Sequence, residues 1–142
     1  MNADLEELYQ SIILDHNRRP QNYRPMPDAS AHGDGLNPNC GDEVTVWLHM
    51  EGDMIADVSF QGKGCAISKA SASLMTQAVK GKKRSEAEQL FESFHGLVTG
   101  HPDGAELGKL KAFSGVSRFP LRVKCATLAW HALKTALADG GV

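Results

Sequence analysis

Apolar residues recur at Leu5, Leu8, Tyr9, Ile12 and Ile13, the spacing of one face of a 3.6-residue helix, and predict an amphipathic helix near the start of the chain. Arg18 and Arg19 suit its C-terminal end, where cations meet the negative pole of the helix dipole, and Pro20 stops it. Pro20, Pro25, Pro27, Gly33, Gly35 and Pro38 punctuate residues 20–39, which read as loop with a short edge strand near Asp28 to His32. The period then changes. Val44, Val46, Leu48 and Met50 alternate with polar or mixed neighbours, and so do Met54, Ala56, Val58 and Phe60. Two such runs joined by Glu51-Gly52-Asp53 predict an antiparallel hairpin.

Gly62-Lys63-Gly64 breaks the second run and leads into Cys65. Ala66 to Val79 is rich in Ala, Ser and Met without Pro or Gly and reads as a helix, with Gly81 at its C-terminal cap. Ser85 with Glu88 three residues on reads as a capping box. Leu90, Phe91, Phe94, Leu97 and Val98 form the helical stripe behind it. Gly100 to Gly104 is a loop, Ala105 to Phe113 holds a short helix interrupted by Gly108, and a last helix spans Pro120 to Leu137. Gly140 to Val142 reads as a frayed tail. Helix, strands, then helices predict an α+β fold: a small antiparallel sheet of about three strands with helices packed on one face. The whole chain, 1–142, reads as one domain.

Composition narrows the function without choosing it. Apolar residues make up 42% of the chain, enough for a core, and 15 Lys+Arg against 17 Asp+Glu leave a net charge of −2. That balance argues against nucleic-acid or anionic-membrane partners, which select a basic excess. No unbroken apolar run exceeds three residues, as at Ile12 to Leu14, so no membrane span is expected. The acidic start Met-Asn-Ala-Asp-Leu-Glu-Glu has neither the basic nor the apolar region of a signal peptide. Three cysteines cannot be used up by disulfides, and the expected location is cytoplasmic, with reduced thiols.

Each cysteine falls where an element begins. Cys40 lies in the loop Asn37-Pro38-Asn39-Cys40-Gly41-Asp42, Cys65 opens a helix, and Cys125 lies in or just before the first turns of the last helix, beside Arg122 and Lys124. Helix N-termini and nearby cations favour thiolate over thiol, so a lowered pKa is expected there. Asp42 follows Cys40 by two residues, which in extended backbone turns both side chains to one side. Cys40, Asp42, Cys65 and Cys125 together would make a closed tetrahedral set suited to zinc. Spacing alone leaves this open. There is no Cys-x-x-Cys pair, and free cysteines are often simply small buried hydrophobes.

The motifs Asn39-Cys40-Gly41-Asp42, Gly62-Lys63-Gly64-Cys65-Ala66-Ile67-Ser68 and Arg122-Val123-Lys124-Cys125, in that order, resemble the U-type (NifU/IscU-like) iron–sulfur cluster assembly family over nearly the whole chain. Two departures from the IscU pattern point to the zinc-containing branch of the SUF system. Lys124 stands where IscU-like chains have His, and residues from about Gly81 to Gly104 form a segment that they mostly lack. The resemblance implies zinc held by Cys40, Asp42, Cys65 and Cys125, and a partner, a pyridoxal-phosphate (PLP)-dependent cysteine desulfurase of the SufS kind. It also implies that Cys40 leaves the metal on docking and accepts persulfide sulfur for downstream SUF cluster-assembly proteins. Such a protein is a sulfurtransferase-type acceptor rather than a turnover enzyme with a small-molecule pocket.

Two rival readings remain. One is a scaffold on which a [2Fe-2S] cluster is assembled and passed on, with iron on the same ligands. The other is a structural zinc domain that only binds a partner. Arg122 and Lys124 are auxiliary candidates: Arg122 would steer a persulfide or contact the partner, or be a surface charge. His131, six residues after Cys125, is turned about 240° away from it on a helix. His32 and His101 sit in expected loops that could approach the site, while His16, His49 and His95 read as surface or packing residues. Lys80 to Arg84 reads as a solvated helix end rather than a nucleic-acid patch. Trp47 and Trp130 read as core or interface aromatics.

Overall fold

The computed structural model describes the backbone of residues 3–140 and the side chains of residues 6–139. Helix α1 spans Ala3–Arg18 and ends before Pro20; the side chain of Leu5, first of its expected stripe, lies outside the described residues. Strands β1 (Ala31–Asn37), β2 (Asp42–Glu51) and β3 (Met54–Lys63) form an antiparallel sheet in the order β1-β2-β3. Helices α2 (Ala66–Val79), α3 (Arg84–Thr99) and α4 (Pro120–Gly140) follow, with a 3-10 segment at Gly108–Arg118 between the last two. Val44, Val46, Leu48, Val58 and Phe60 are buried on the inner sheet face, where α4 crosses β1 and β2 and α2 lies on β3. This is the expected α+β arrangement.

Four boundaries differ from the sequence reading. β1 begins at Ala31 rather than Asp28, and its inward positions include Gly33. A Cβ there would come 2.1 Å from the Ala132 carbonyl oxygen, so glycine is what lets the α4 backbone lie directly on the strand. β1 therefore presents bare backbone to α4, and no apolar alternation marks it. α3 starts at Arg84 after an N-cap at Lys83, whose N–H is taken by Glu86 Oε1 at 3.0 Å; the Ser85–Glu88 box is not formed. The entry is held from outside, because Ile55 N–H donates to Lys82 O and Arg84 N–H to Asp53 O. The short helix expected over Ala105 to Phe113 is a 3-10 segment that begins at Gly108 and runs on to Arg118. α4 continues through Gly140, where a frayed tail was expected; Gly141 and Val142 lie outside the described residues.

The segment from α3 onward is built into the core. Phe94 stacks on Trp130 of α4 at 4.7 Å and meets Phe113 edge-on at 5.8 Å. Trp130 is fully buried and its Nε1–H donates to Ser71 Oγ, which donates to the Ala126 carbonyl. α2 and α4 are thus locked side by side, with Cys65 and Cys125 near their N-terminal ends.

Candidate metal centre

Three chain segments converge at one end of the sheet. Cys40 sits in the tight turn between β1 and β2, where its N–H donates to Asn37 O at 3.3 Å and Gly41 adopts a left-handed φ of 69°. Cys40 is exposed. Asp42, the first residue of β2, is completely buried. Its Oδ1 accepts the Cys65 N–H at 2.9 Å and its Oδ2 lies 4.0 Å from Cys65 Sγ. The carboxylate thereby satisfies a donor at the head of α2. Gly64 makes room for it, since a Cβ there would stand 2.3 Å from Asp42 Oδ1.

Cys65 is the N-cap of α2, and its Sγ accepts the Ser68 N–H at 3.4 Å. Cys125 is in the second turn of α4, buried to 4% exposure, with its Sγ 3.5 Å from Cys40 Sγ. The ligand atoms of Cys40, Asp42 and Cys125 all lie within 4.8 Å of one another. The structure therefore gathers three of the four expected ligands, and brings the fourth, Cys65, against Asp42 while it also caps its helix.

Cys125 does not behave as its helix position suggested. Burial pushes its thiol pKa up, and hydrogen bonding with Asp42, Cys40 and Cys65 pushes it further. The expected gain from the α4 N-terminus is outweighed, because the side chain is inside the protein beside a carboxylate that stabilises the protonated thiol. That environment fits a cation. Two thiols and a carboxylate at this separation, with the Cys65 thiol 4.0 Å from the same carboxylate, are the donor types of a thiolate-rich zinc site, and a positive ion is what would displace the protons.

The auxiliary candidates stay outside. Arg122 and Lys124 are exposed, and the Arg122 guanidinium lies over the Phe119 ring at 4.4 Å. Among the described residues no histidine joins the cluster. His32 is an exposed residue of β1 and His101 an exposed loop residue. His16 is buried against Ser73, and His131 packs edge-on against Phe91. Three exposed apolar residues gave no sequence signal: Leu36 at 63% exposure, Leu121 at 58% and Phe119 at 46%, all close in the chain to Cys40 or Cys125. Isolated between glycine, asparagine and proline or beside charges, they carried no periodic signal. A cleft of about 700 Å³ lies elsewhere, between α3 and α4, and none of the four candidate ligands lines it. Among the described residues no helix is long and apolar enough to cross a membrane.

The chain resembles known proteins over most of its length. The family described as NifU-like N terminal domain matches residues 8–126. A zinc-dependent sulfurtransferase SufU of Bacillus subtilis is 43% identical over 144 residues, covering 99% of this chain and 97% of that one. An iron–sulfur cluster assembly scaffold protein IscU of Streptococcus pyogenes is 42% identical over 137 residues, covering 95% of this chain and 86% of that one. The crystal structure of a NifU-like protein N-terminal region from Brucella abortus superposes with a TM-score of 0.87 at 21% identity, over 96% of both chains, which is a likeness of fold.

Proposed function

The chain belongs to the family of NifU-like N-terminal domains, and from that membership we propose that it is a zinc-dependent sulfur acceptor of iron–sulfur cluster assembly, with Cys40 taking persulfide sulfur from a cysteine desulfurase. The observation that carries this reading is the pairing of an exposed, loop-borne Cys40 Sγ with the buried Cys125 Sγ at 3.5 Å, beside fully buried Asp42. Cys40, Asp42, Cys65 and Cys125 are the residues that would hold zinc, which when bound keeps thiols deprotonated at neutral pH.

Asp42 and Cys125 are buried, while Cys40 and Cys65 are exposed. Cys65 is tied to the head of α2 by the Ser68 N–H, which leaves Cys40, on its loop, as the freer thiol to meet a macromolecular partner. In the transfer, the Cys40 thiolate attacks the terminal sulfur of the desulfurase Cys–S–SH group. The donor S–S bond breaks, the donor thiolate leaves, and Cys40–S–SH forms, so one neutral sulfur atom moves with no net oxidation. Leu36, Phe119 and Leu121, exposed and near Cys40 or Cys125 in the chain, offer apolar contact to a partner, and Arg122 and Lys124 offer cations to it or to the anionic persulfide. The partner in this reading is a PLP-dependent, SufS-like desulfurase, the recipients are SUF cluster-assembly proteins, and the site of action is the cytoplasm, where thiols stay reduced.

The test uses zinc-loaded protein with a SufS-type desulfurase and cysteine, without iron. Faster desulfurase turnover with the added sulfur on Cys40 by mass spectrometry, both lost in Cys40→Ala, is the expected result. Absence of both from folded, zinc-replete protein would overturn the reading. A scaffold for a [2Fe-2S] cluster is the second reading, favoured by the 42% identity to a protein described as an assembly scaffold. It predicts instead a cluster retained on the same residues after anaerobic addition of iron and sulfide.

A further inference from the structure

Asn37, the last residue of β1, is buried to 6% exposure, and its side-chain Nδ2 has no hydrogen-bond partner. Buried amide donors are almost always paired, so an orphan of this kind asks for an explanation. Its position supplies one. Asn37 lies directly opposite Asp42 in the β1–β2 ladder, and directly opposed residues project to the same face of a sheet. Asp42 on that face belongs to the Cys40–Asp42–Cys125 cluster.

A second relation places Asn37 independently. Inward positions of β1 step along α4 by about one helical turn each: a Cβ on Gly33 would meet Ala132 and Ala136, and one on Gly35 would meet Leu128. The next inward position is Asn37, and the same stepping continued by one turn leads toward the part of α4 that carries Cys125. The Asn37 carbonyl also takes the Cys40 N–H, so strand ladder, helix stepping and turn all bring this amide to the same cluster. The groups gathered there are a carboxylate and sulfurs, acceptors once ionised, to which only the NH₂ end of an amide is complementary.

We infer that Asn37 is a positioning residue of the sulfur centre, its buried side-chain N–H serving as a donor to the ligand atoms of the Cys40–Asp42–Cys125 cluster. Hydrogen bonds to ionised partners are shorter and stronger than those to neutral ones, so a buried amide donor beside a metal-binding cluster has suitable acceptors in its ligands. Donors to metal-bound ligands orient them and tune their donor strength. The inference deepens the metal-dependent acceptor reading and rests on it.

The test compares the full chain with Asn37→Leu and Asn37→Ala, two variants of different size that share only the loss of the donor. Cobalt(II) replaces zinc as a spectroscopic probe, and zinc affinity is measured by competition with a chelator. Expected is a shift of the sulfur-to-cobalt charge-transfer band to longer wavelength in both variants, with zinc affinity down about 10- to 100-fold, while circular dichroism stays native. Unchanged band and affinity in either folded variant would overturn the inference, as would opposite shifts in the two, which mark packing rather than a lost donor. Failure of the unmutated chain to bind cobalt or zinc at all would overturn both the inference and the reading beneath it. A band shift in the variants together with no sulfur on Cys40 in the desulfurase assay would overturn the acceptor reading alone.

Discussion

Cys125 Sγ lies 3.5 Å from Cys40 Sγ, although one thiol is inside helix α4 and the other is on an exposed loop. Two ligands held about 2.3 Å from a shared tetrahedral ion stand about 3.8 Å apart, and a disulfide needs about 2.0 Å. The pair is therefore near the spacing of a metal site and a short movement from a disulfide. In metal-free protein, a two-electron oxidant such as diamide should link Cys40 to Cys125, being itself reduced to the hydrazide. Zinc-loaded protein should resist. Peptide mapping without reductant checks this, and a dominant link from Cys65 would contradict the arrangement.

Gly64 is required by the buried carboxylate next to it. A Cβ at this position would stand 2.3 Å from Asp42 Oδ1 and 2.9 Å from its Cγ, so Gly64→Ala must push Asp42 out of place. The carboxylate would also lose its bond to the Cys65 N–H. We expect a stability loss of about 1–3 kcal/mol, the usual cost of overpacking, together with weaker zinc binding. Chelator competition beside thermal melting checks both. Wild-type affinity in the variant would show that Asp42 is dispensable to the site.

The α3 segment is integral to the one domain proposed for the chain. Phe94 is fully buried between Trp130 and Phe113. Phe94→Ala should cost about 3–5 kcal/mol, the range for deleting a buried aromatic. If α3 and the sheet share one core, urea unfolding of wild type and variant is a single transition by tryptophan fluorescence and by far-ultraviolet circular dichroism. Two transitions, with only the fluorescence midpoint lowered, would mean that α3 folds as a separate unit.

Much of this molecule is legible in the chain because local signals and tertiary needs agree. α2 occupies Ala66–Val79 as its composition and flanking glycines predict, and the β2–β3 hairpin follows its alternation. The four candidate ligands are recognisable from the motifs around them, at or near the starts of β2, α2 and α4. What stayed hidden was set by distant contacts. β1 packs glycine against the α4 backbone and so shows no apolar period. The start of α3 is held by the Glu86 side chain and by hydrogen bonds to the β2–β3 turn and β3, not by the Ser85–Glu88 box the sequence suggested. Cys125 has its pKa raised by burial among residues far away in sequence, opposite to what its helix position suggested. Asn37 gains its place opposite Asp42 only through the ladder register.

Histidine burial gives stability a pH slope whose sign is determined. Ser73 Oγ accepts the Gln21 N–H at 2.7 Å and lies 2.7 Å from His16 Nδ1, so the hydroxyl proton is free to point at an unprotonated Nδ1. Burial and then the charge of Lys109 lower the His16 pKa, against a smaller opposite effect of Asp15. Burial lowers that of His131 as well, helped by His95 and Lys134. Unfolded histidines titrate near 6.5, so as pH falls below about that value the unfolded chain takes up protons that the folded chain refuses. Stability must then fall with pH, since the state binding more protons is favoured by acid. Urea midpoints of metal-free protein should drop steadily from pH 7.5 to pH 5.5, and His16→Leu should flatten part of that slope by removing one titrating group. Metal-free protein keeps the ligand thiols from confounding the curve. An equal slope in wild type and variant would mean that His16 titrates alike in the folded and unfolded chains.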